Sequence, residues 1–243
     1  MVEGKPAVSA LVSALVLAVV LAAAPVLLHG LRGEPAGAAS TEGGAAAATP
    51  PAPAGEPDVG DERLWPPVVW RTSRAVGRTN AGRLVDGVLL PEQGEHFFSW
   101  DPIEKRFPNR EWRRWGTDRL VSTLLDVLSE YRAAHPDAPR VGITDLSRPH
   151  GGEFGPRFGG LGHRSHQNGL DVDVLYPRLD RLERKPVRAD QIDRALAQEL
   201  VDGFVRAGAV YVFVGPRTGL RGPRRVVQEL VHHDDHVHVR IGR

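Results

Sequence analysis

Cysteine is absent from the 243-residue chain. This absence excludes disulfides, thiolate metal ligands and a lipid-modified N-terminus, so any metal site must use histidine, aspartate or glutamate. An excess of one charge is also lacking, since 31 Lys and Arg residues balance 30 Asp and Glu residues to a net charge of +1. Nucleic-acid binders carry a marked basic excess, so we expect no nucleic-acid partner. Aromatic residues are few, at 6%, which still allows a core of normal size.

Charged residues are missing from the apolar stretch at residues 7–31, which reads AVSALVSALVLAVVLAAAPVLLHGL. The stretch is long for the core of a signal peptide and about right for a helix that crosses a membrane. The small residues AGAAS at 36–40 would suit a cleavage site. Two interpretations of residues 1–31 therefore remain, a cleaved signal peptide and an N-terminal inner-membrane anchor. Both imply that the remainder of the chain is exported.

The next segment, residues 32–60, consists largely of Ala, Pro and Gly and shows no apolar periodicity. Such a composition cannot bury enough surface to fold, so we predict a disordered linker. The folded part is then a single domain at residues 61–243.

Apolar spacing within this domain predicts two helices. The first covers residues 118–134, capped by Thr117, and the second covers residues 189–207, stopped by Gly208. The predicted strands lie at residues 83–90, 96–100, 140–147, 170–176, 210–215 and 236–241. This order lacks regular alternation of strands and helices. It predicts an α+β fold, with a mainly antiparallel sheet and flanking helices.

A glycine-rich loop is predicted at residues 149–169, where seven residues are glycine. Long irregular loops in compact domains are usually functional or disordered. This loop runs directly into a histidine cluster, which favours a functional role.

Histidines are concentrated in two short stretches. HRSHQNGLDVD at residues 163–173 and HHDDHVH at residues 232–238 hold six of the ten histidines, each beside paired aspartates. Side chains alternate along a strand, so Asp171 and Asp173 share one face, and His236 and His238 likewise share one face. If these two strands are neighbours, two carboxylates and two imidazoles meet on one side of the sheet.

Two histidines and one carboxylate form a three-ligand set that is common for catalytic zinc. We select His166, Asp173 and His238 as ligands, which leaves His236 and His233 to handle protons. Zinc with an open coordination position activates water and polarises a carbonyl, which is hydrolytic chemistry.

Other interpretations of these residues are disfavoured. DVDV alone is typical of a solvated strand face and HVHV alone of an edge strand, but the two clusters together argue against both. Calcium is disfavoured because imidazole suits zinc-like ions better than hard cations. A serine triad is disfavoured because no nucleophile-elbow sequence surrounds Ser165.

The motif SHQNGLDVDV, combined with a C-terminal His-x-His strand, resembles the LAS metallopeptidases. That group includes lysostaphin-type enzymes, D-alanyl-D-alanine metallopeptidases and the hedgehog signalling domain. The longer strings DLSRPHGG, GGLGHRSHQNGLDVDV and HHDDHVHVRI resemble the penicillin-insensitive murein endopeptidase family more closely. The resemblance covers most of residues 70–243 and implies a fold like that of hedgehog and the D-Ala-D-Ala metallopeptidases. The apolar segment and the linker are not part of the family core.

This resemblance implies a periplasmic or cell-envelope zinc enzyme that cleaves D-alanyl–meso-diaminopimelyl cross-links in peptidoglycan. It places the zinc ligands on the same three residues and the base on His236. It also implies that His163 and His233 lie near the metal, with His163 either supporting the ligands or binding a second ion. Alternatives are a D,D- or L,D-carboxypeptidase, in which Arg164 would recognise a free carboxylate, and a hedgehog-like zinc domain that binds cell wall or a partner without cutting.

Supporting roles are expected for residues around the ligands. Asp171 either holds a ligand histidine in its tautomer or contacts substrate. Arg148, Arg157 and Arg164 in the glycine-rich loop are candidates for pairing with substrate carboxylates, with ordinary solvated surface as the alternative.

Overall fold

Ten strands and two α-helices are described by the computed structural model, which covers residues 65–155 and 164–243. In chain order they are β1 (Arg74–Arg78), β2 (Ala81–Val85), β3 (Val88–Leu89), β4 (Phe97–Ser99), β5 (Trp115–Gly116), α1 (Asp118–Ala134), β6 (Val141–Ile143), β7 (Asp171–Leu175), α2 (Arg194–Arg206), β8 (Tyr211–Val214), β9 (Val227–Glu229) and β10 (His236–Arg240).

Six of these strands form the main sheet, in the order β4-β6-β7-β10-β8-β9. The pairs β6–β7, β7–β10 and β10–β8 are antiparallel. The outer pairs β4–β6 and β8–β9 are parallel. The predicted, mainly antiparallel sheet is therefore confirmed, with parallel pairs at its two edges. A parallel pair needs a long crossover connection, and α1 lies within the one between β4 and β6.

Helix α1 has the bounds that the sequence predicts. The Thr117 hydroxyl accepts a hydrogen bond from the Leu120 amide at 3.1 Å, which satisfies one free donor of the first turn. The helix ends where the His135 amide donates to the Tyr131 carbonyl. Leu124 and Leu128 are fully buried, so the predicted apolar face packs into the core.

The predicted start of the second helix at residue 189 is wrong. Ala189–Gln191 form a single 3-10 turn, and Ile192 is extended with φ −82° and ψ 131°. Helix α2 begins only after Asp193, whose carboxylate accepts from the Leu196 amide at 3.2 Å. The capping carboxylate thus fixes the true beginning of the helix.

The prediction of one strand at residues 83–90 is wrong as well, because the structure has two strands there, β2 and β3. Asp86 adopts a left-handed φ of 51° between β2 and β3, and this turn breaks the extended chain. Strand β2 pairs with β1, and β3 pairs with β5.

The hydrophobic core covers one face of the main sheet. Val172 and Val174 of β7 and Val237 and Val239 of β10 are fully buried in one cluster with side chains of both helices. Since side chains alternate along a strand, the polar residues between these valines lie on the opposite face. The helices therefore support the sheet from one side and leave the other side for the histidines and aspartates.

Gly169 connects the glycine-rich loop to β7. Its carbonyl accepts from both the amide and the hydroxyl of Thr117, at 2.9 and 3.1 Å. Its φ is +76°, and a Cβ here would lie 2.9 Å from Leu84 Cδ1 and 3.0 Å from the Thr117 nitrogen. Only glycine fits this position without strain, and it fixes the entry into β7 two residues before Asp171.

Within residues 65–155 and 164–243, none of the helices has the length and apolarity needed to cross a bilayer. The predicted signal peptide or anchor at 1–31 and the predicted linker at 32–60 lie outside the described residues.

Candidate metal centre

Strands β7 and β10 are neighbours at the centre of the sheet, as the sequence predicts. Their antiparallel register places His238 opposite Asp173 and Arg240 opposite Asp171. Because side chains directly opposite each other lie on the same face, the two aspartates meet His236 and His238 there.

His166 reaches the same place from the glycine-rich loop and is fully buried. Its Nδ1 lies 2.6 Å from the Leu146 carbonyl oxygen. A carbonyl can only accept, so Nδ1 carries the hydrogen in this bond. The other nitrogen, Nε2, lies 3.3 Å from Oδ2 of Asp173.

His238 lies between two carboxylates. Its Nδ1 is 2.8 Å from Oδ1 of Asp173, and its Nε2 is 2.8 Å from Oδ1 of Asp171. Nε of Arg240 donates to the same Asp171 oxygen at 2.7 Å. Asp171 therefore holds one nitrogen of the ring and directs the other toward Asp173.

Three of these side chains could hold a metal ion. One donor atom each of His166, Asp173 and His238 lies within 4.8 Å of the others, and all three residues are buried. Nitrogen or oxygen ligands about 2.0–2.1 Å from a tetrahedral zinc ion lie roughly 3.3 Å apart, and nitrogens of His166 and His238 lie 3.3 and 2.8 Å from oxygens of Asp173. The donor atoms are electron-rich and face one another, so a positive charge must lie among them. The donor set therefore fits a zinc-like cation.

In the metal-free protein, protons supply that charge. Burial lowers the pKa of His238, but its hydrogen bonds to Asp171 and Asp173 outweigh burial and raise the pKa to about 9. Burial also lowers the pKa of His166, and the Asp173 carboxylate reverses this to a net rise. For Asp173, burial raises the pKa, but His166, His236 and His238 together hold it well below its ordinary value. A metal ion must displace these protons in order to bind.

Two further histidines lie beside this trio. Nδ1 of His236 is 2.6 Å from Oδ1 of Asp235, and its Nε2 is 3.8 Å from Oδ1 of Asp173. Nδ1 of His233 bonds to the Val231 carbonyl at 2.8 Å. Burial, together with the neighbouring His236, lowers the pKa of His233 to about 4, so this ring is neutral at neutral pH.

A cleft of about 680 Å³ opens over the site. Its lining includes Asp173 and His238 of the trio. Apolar side chains form part of its walls, among them Ile103, Phe213 and Leu230. The cleft is large enough for a short peptide segment, and His233, His236 and His238 line it.

Comparison with known proteins identifies the family. The model of the penicillin-insensitive murein endopeptidase family matches residues 75–207, which is more than half of the chain. The chain belongs to this family. The resemblance seen in the sequence is thereby confirmed, and the match at 75–207 covers most of residues 70–243.

Two curated proteins named penicillin-insensitive murein endopeptidase are similar to the chain, one from Escherichia coli O157:H7 and one from its strain EC4115 / EHEC. Each is 29% identical over 124 residues, which is 50% of this chain and 40% of the relative. The chain thus matches less than half the length of these relatives. The family match includes His166 and Asp173 but ends before β10, so the fold alone brings His238 to them.

The remaining predicted site residues differ in whether they lie at the cleft. Arg164 is exposed and lines the cleft. Arg148 is outside the cleft lining, and its Nη1 donates to the Glu153 carbonyl at 3.2 Å. Arg157 and His163 lie outside the described residues.

Three groups at this murein endopeptidase-family site have no role that the sequence predicts. They are the Leu146 carbonyl, the Asp235 carboxylate and the Lys185 ammonium group, whose Nζ is 2.8 Å from Oδ2 of Asp235. The paired aspartates of HHDDHVH were a signal for Asp235. No local pattern marks Lys185 or the carbonyl, because each depends on how distant segments pack.

Proposed function

We propose that this protein is a zinc-dependent murein DD-endopeptidase that hydrolyses D-alanyl–meso-diaminopimelyl cross-links in peptidoglycan. Family membership and the names of the two relatives support the reaction class. The single observation that carries the proposal is the buried trio of His166, Asp173 and His238, two of which, Asp173 and His238, line an open cleft.

The three ligands of the proposed ion are these same residues. Two imidazoles with one carboxylate favour zinc over calcium or magnesium, which prefer oxygen ligands. When bound, zinc would supply a Lewis acid that polarises the scissile carbonyl and lowers the pKa of water. Asp171 is proposed to fix the orientation of His238, as carboxylates beside metal-bound histidines commonly do. His163 is proposed to lie near this site as well, either as support for the ligands or as a ligand of a second ion.

His236 is the proposed proton acceptor. Because its Nδ1 is engaged by Asp235, its Nε2 is the nitrogen turned toward Asp173. It is placed to take a proton from the attacking water and to deliver it to the leaving amine. His233 uses Nδ1 for the Val231 carbonyl and so offers Nε2 as a hydrogen-bond acceptor for substrate or for this proton.

Peptidoglycan stem peptides carry carboxylates, and Arg164 at the cleft is the proposed partner for one of them. The substrate lies outside the cytoplasmic membrane, so we place the protein in the periplasm or cell envelope. Residues 1–31 would direct this export, either as a cleaved signal peptide or as an inner-membrane anchor.

Digestion of purified cross-linked muropeptide dimers tests the proposal. The zinc-loaded protein should convert dimers to monomers without releasing free D-alanine, and Asp173→Ala should abolish the conversion. Release of D-alanine from monomers would instead establish a carboxypeptidase. Binding of peptidoglycan without any cleavage would establish a non-catalytic domain and overturn the proposal.

A further inference from the structure

Asp235 connects two side chains that lie on different parts of the chain. Its Oδ1 lies 2.6 Å from Nδ1 of His236, and its Oδ2 lies 2.8 Å from Nζ of Lys185. The side chain of Asp235 is 27% exposed, that of His236 18% and that of Lys185 30%. This hydrogen-bonded row of three side chains is therefore partly shielded from water. Lys185 belongs to the segment between β7 and α2, whereas Asp235 immediately precedes β10.

Each hydrogen bond in this row has a fixed donor and a fixed acceptor. An ionised carboxylate only accepts hydrogen bonds, and an ammonium group only donates them. When the His236 ring is neutral, its Nδ1 must therefore carry the hydrogen that bonds to Asp235. Its Nε2 is then left with a lone pair, on the side of the ring that lies 3.8 Å from Oδ1 of Asp173.

We propose that Lys185 and Asp235 form a positioning pair that selects the Nδ1–H tautomer of His236 and turns its basic Nε2 toward the cleft. The part of this inference that concerns proton transfer rests on the proposed function. The tautomer itself does not, because it follows from the hydrogen-bond row alone. Lys185 acts through Asp235 and need not touch substrate.

The role of Lys185 becomes visible when the carboxylate is replaced by an amide. In Asp235→Asn, the side chain has one accepting oxygen and one donating NH2 group. Lys185 can only donate, so it holds the oxygen and leaves the NH2 group facing His236. Nδ1 must then accept, which moves the ring hydrogen to Nε2 and gives the wrong tautomer. If Lys185 is also replaced, by Met, the amide can rotate, present its oxygen to Nδ1 and restore the original tautomer.

Nitrogen NMR of zinc-loaded protein labelled with ¹⁵N-histidine reads this directly, at a pH where the ring is neutral. The His236 signals are identified by their loss in His236→Gln. Wild type, Lys185→Met and the double variant should show hydrogen on Nδ1, and Asp235→Asn should show it on Nε2. Asp190→Asn is the matched control, because Asp190 bonds to exposed Arg188 away from the cleft and should leave the tautomer unchanged.

Hydrogen on Nε2 in the wild type would overturn the proposal even if no variant folds. Retention of the Nδ1 hydrogen in Asp235→Asn would overturn it as well. An Nε2 hydrogen that persists in the double variant would show that Lys185 does not orient the side chain at position 235, and would remove Lys185 from the pair.

Kinetics on muropeptide dimers give a second readout. A wrong tautomer in a comparable Asp–His pair lowers kcat by about 10⁴, so we expect a loss on the order of 10³–10⁴ in Asp235→Asn, with KM and zinc content unchanged. The double variant should recover at least about tenfold relative to that single variant. Full activity in His236→Ala would defeat the proposed proton acceptor but leave the NMR result standing, so the two ideas fail separately.

Discussion

The carboxylate of Asp171 lies 2.8 Å from Nε2 of His238 and, by engaging it, directs Nδ1 of that ring toward Asp173. The substitution Asp171→Asn keeps the volume but removes the charge that holds the ring. We expect zinc affinity to fall about 10- to 100-fold with little change in the fold. Competition with a chelator measures this, and exposed Asp126→Asn on α1 is the matched control. Equal affinities for the two variants would mean that Asp171 does not support the ligand.

Removal of a ligand should abolish zinc-dependent stabilisation. An ion that binds only the folded state raises the free energy of unfolding with the logarithm of its concentration over its dissociation constant. We therefore expect added zinc to raise the thermal unfolding midpoint of wild type but not that of His166→Ala. His150 is an exposed histidine elsewhere, and His150→Ala should respond as the wild type does. A zinc response that persists in His166→Ala would rule out this ligand.

Metal-free protein should lose stability as the solution becomes alkaline. The pKa of His238 is raised to about 9 and that of His166 is also raised, whereas an unfolded histidine titrates near about 6.5. Groups with a raised folded pKa stabilise fully below about pH 6.5, and this contribution is lost as pH rises through about 9.

Calorimetry of the metal-free protein should therefore show a falling unfolding midpoint across that window. The gain from zinc should grow over the same window, because the ion replaces the protons. The variant His238→Gln should flatten the fall. A metal-free midpoint that rises between these pH values would be inconsistent with protonated histidines in the cluster.

A buried ion pair lies beside the site. Nε and Nη2 of Arg113 lie 2.5 and 2.6 Å from the two oxygens of Asp145, and both side chains are fully buried. The Asp145 carbonyl accepts from the Asp173 amide at 2.9 Å, so the pair anchors the segment beside a ligand. Because a lone buried charge is costly, Asp145→Ala should lower the free energy of unfolding by about 3–5 kcal/mol.

Urea denaturation measures that loss. The exposed pair Arg188–Asp190 supplies the contrast, and Asp190→Ala should leave the urea midpoint unchanged. If both substitutions had equally small effects, the Arg113–Asp145 pair would contribute nothing beyond a surface contact.

The parts of the site that lie on strands could be predicted from the sequence. The alternation in DVDV and HVHV has a period of two, and this fixes which side chains share a face before any pairing is known. Thr117 likewise predicts the start of α1, because its hydroxyl accepts a hydrogen bond from an amide in the first turn of the same helix. In both cases the information is local.

Features that depend on distant packing could not be predicted. The Leu146 carbonyl bonds to His166 across twenty positions of sequence, and Lys185 reaches Asp235 across fifty. The short edge strand β9 lacks a clear apolar pattern, since two of its three residues are exposed. At α2, the helical spacing of apolar residues continues on the N-terminal side of the helix. The helix itself begins only after Asp193, whose carboxylate caps it.

Strand β10 is the last strand in chain order, yet it lies between β7 and β8 in the interior of the sheet. It contributes both the candidate ligand His238 and a central part of the core, so neither the complete sheet nor the complete cluster exists without it. A chain that has not yet been synthesised or translocated through β10 would lack both together. Under the proposed function, this topology would keep a cell-wall hydrolase inert until β10 has been delivered and inserted.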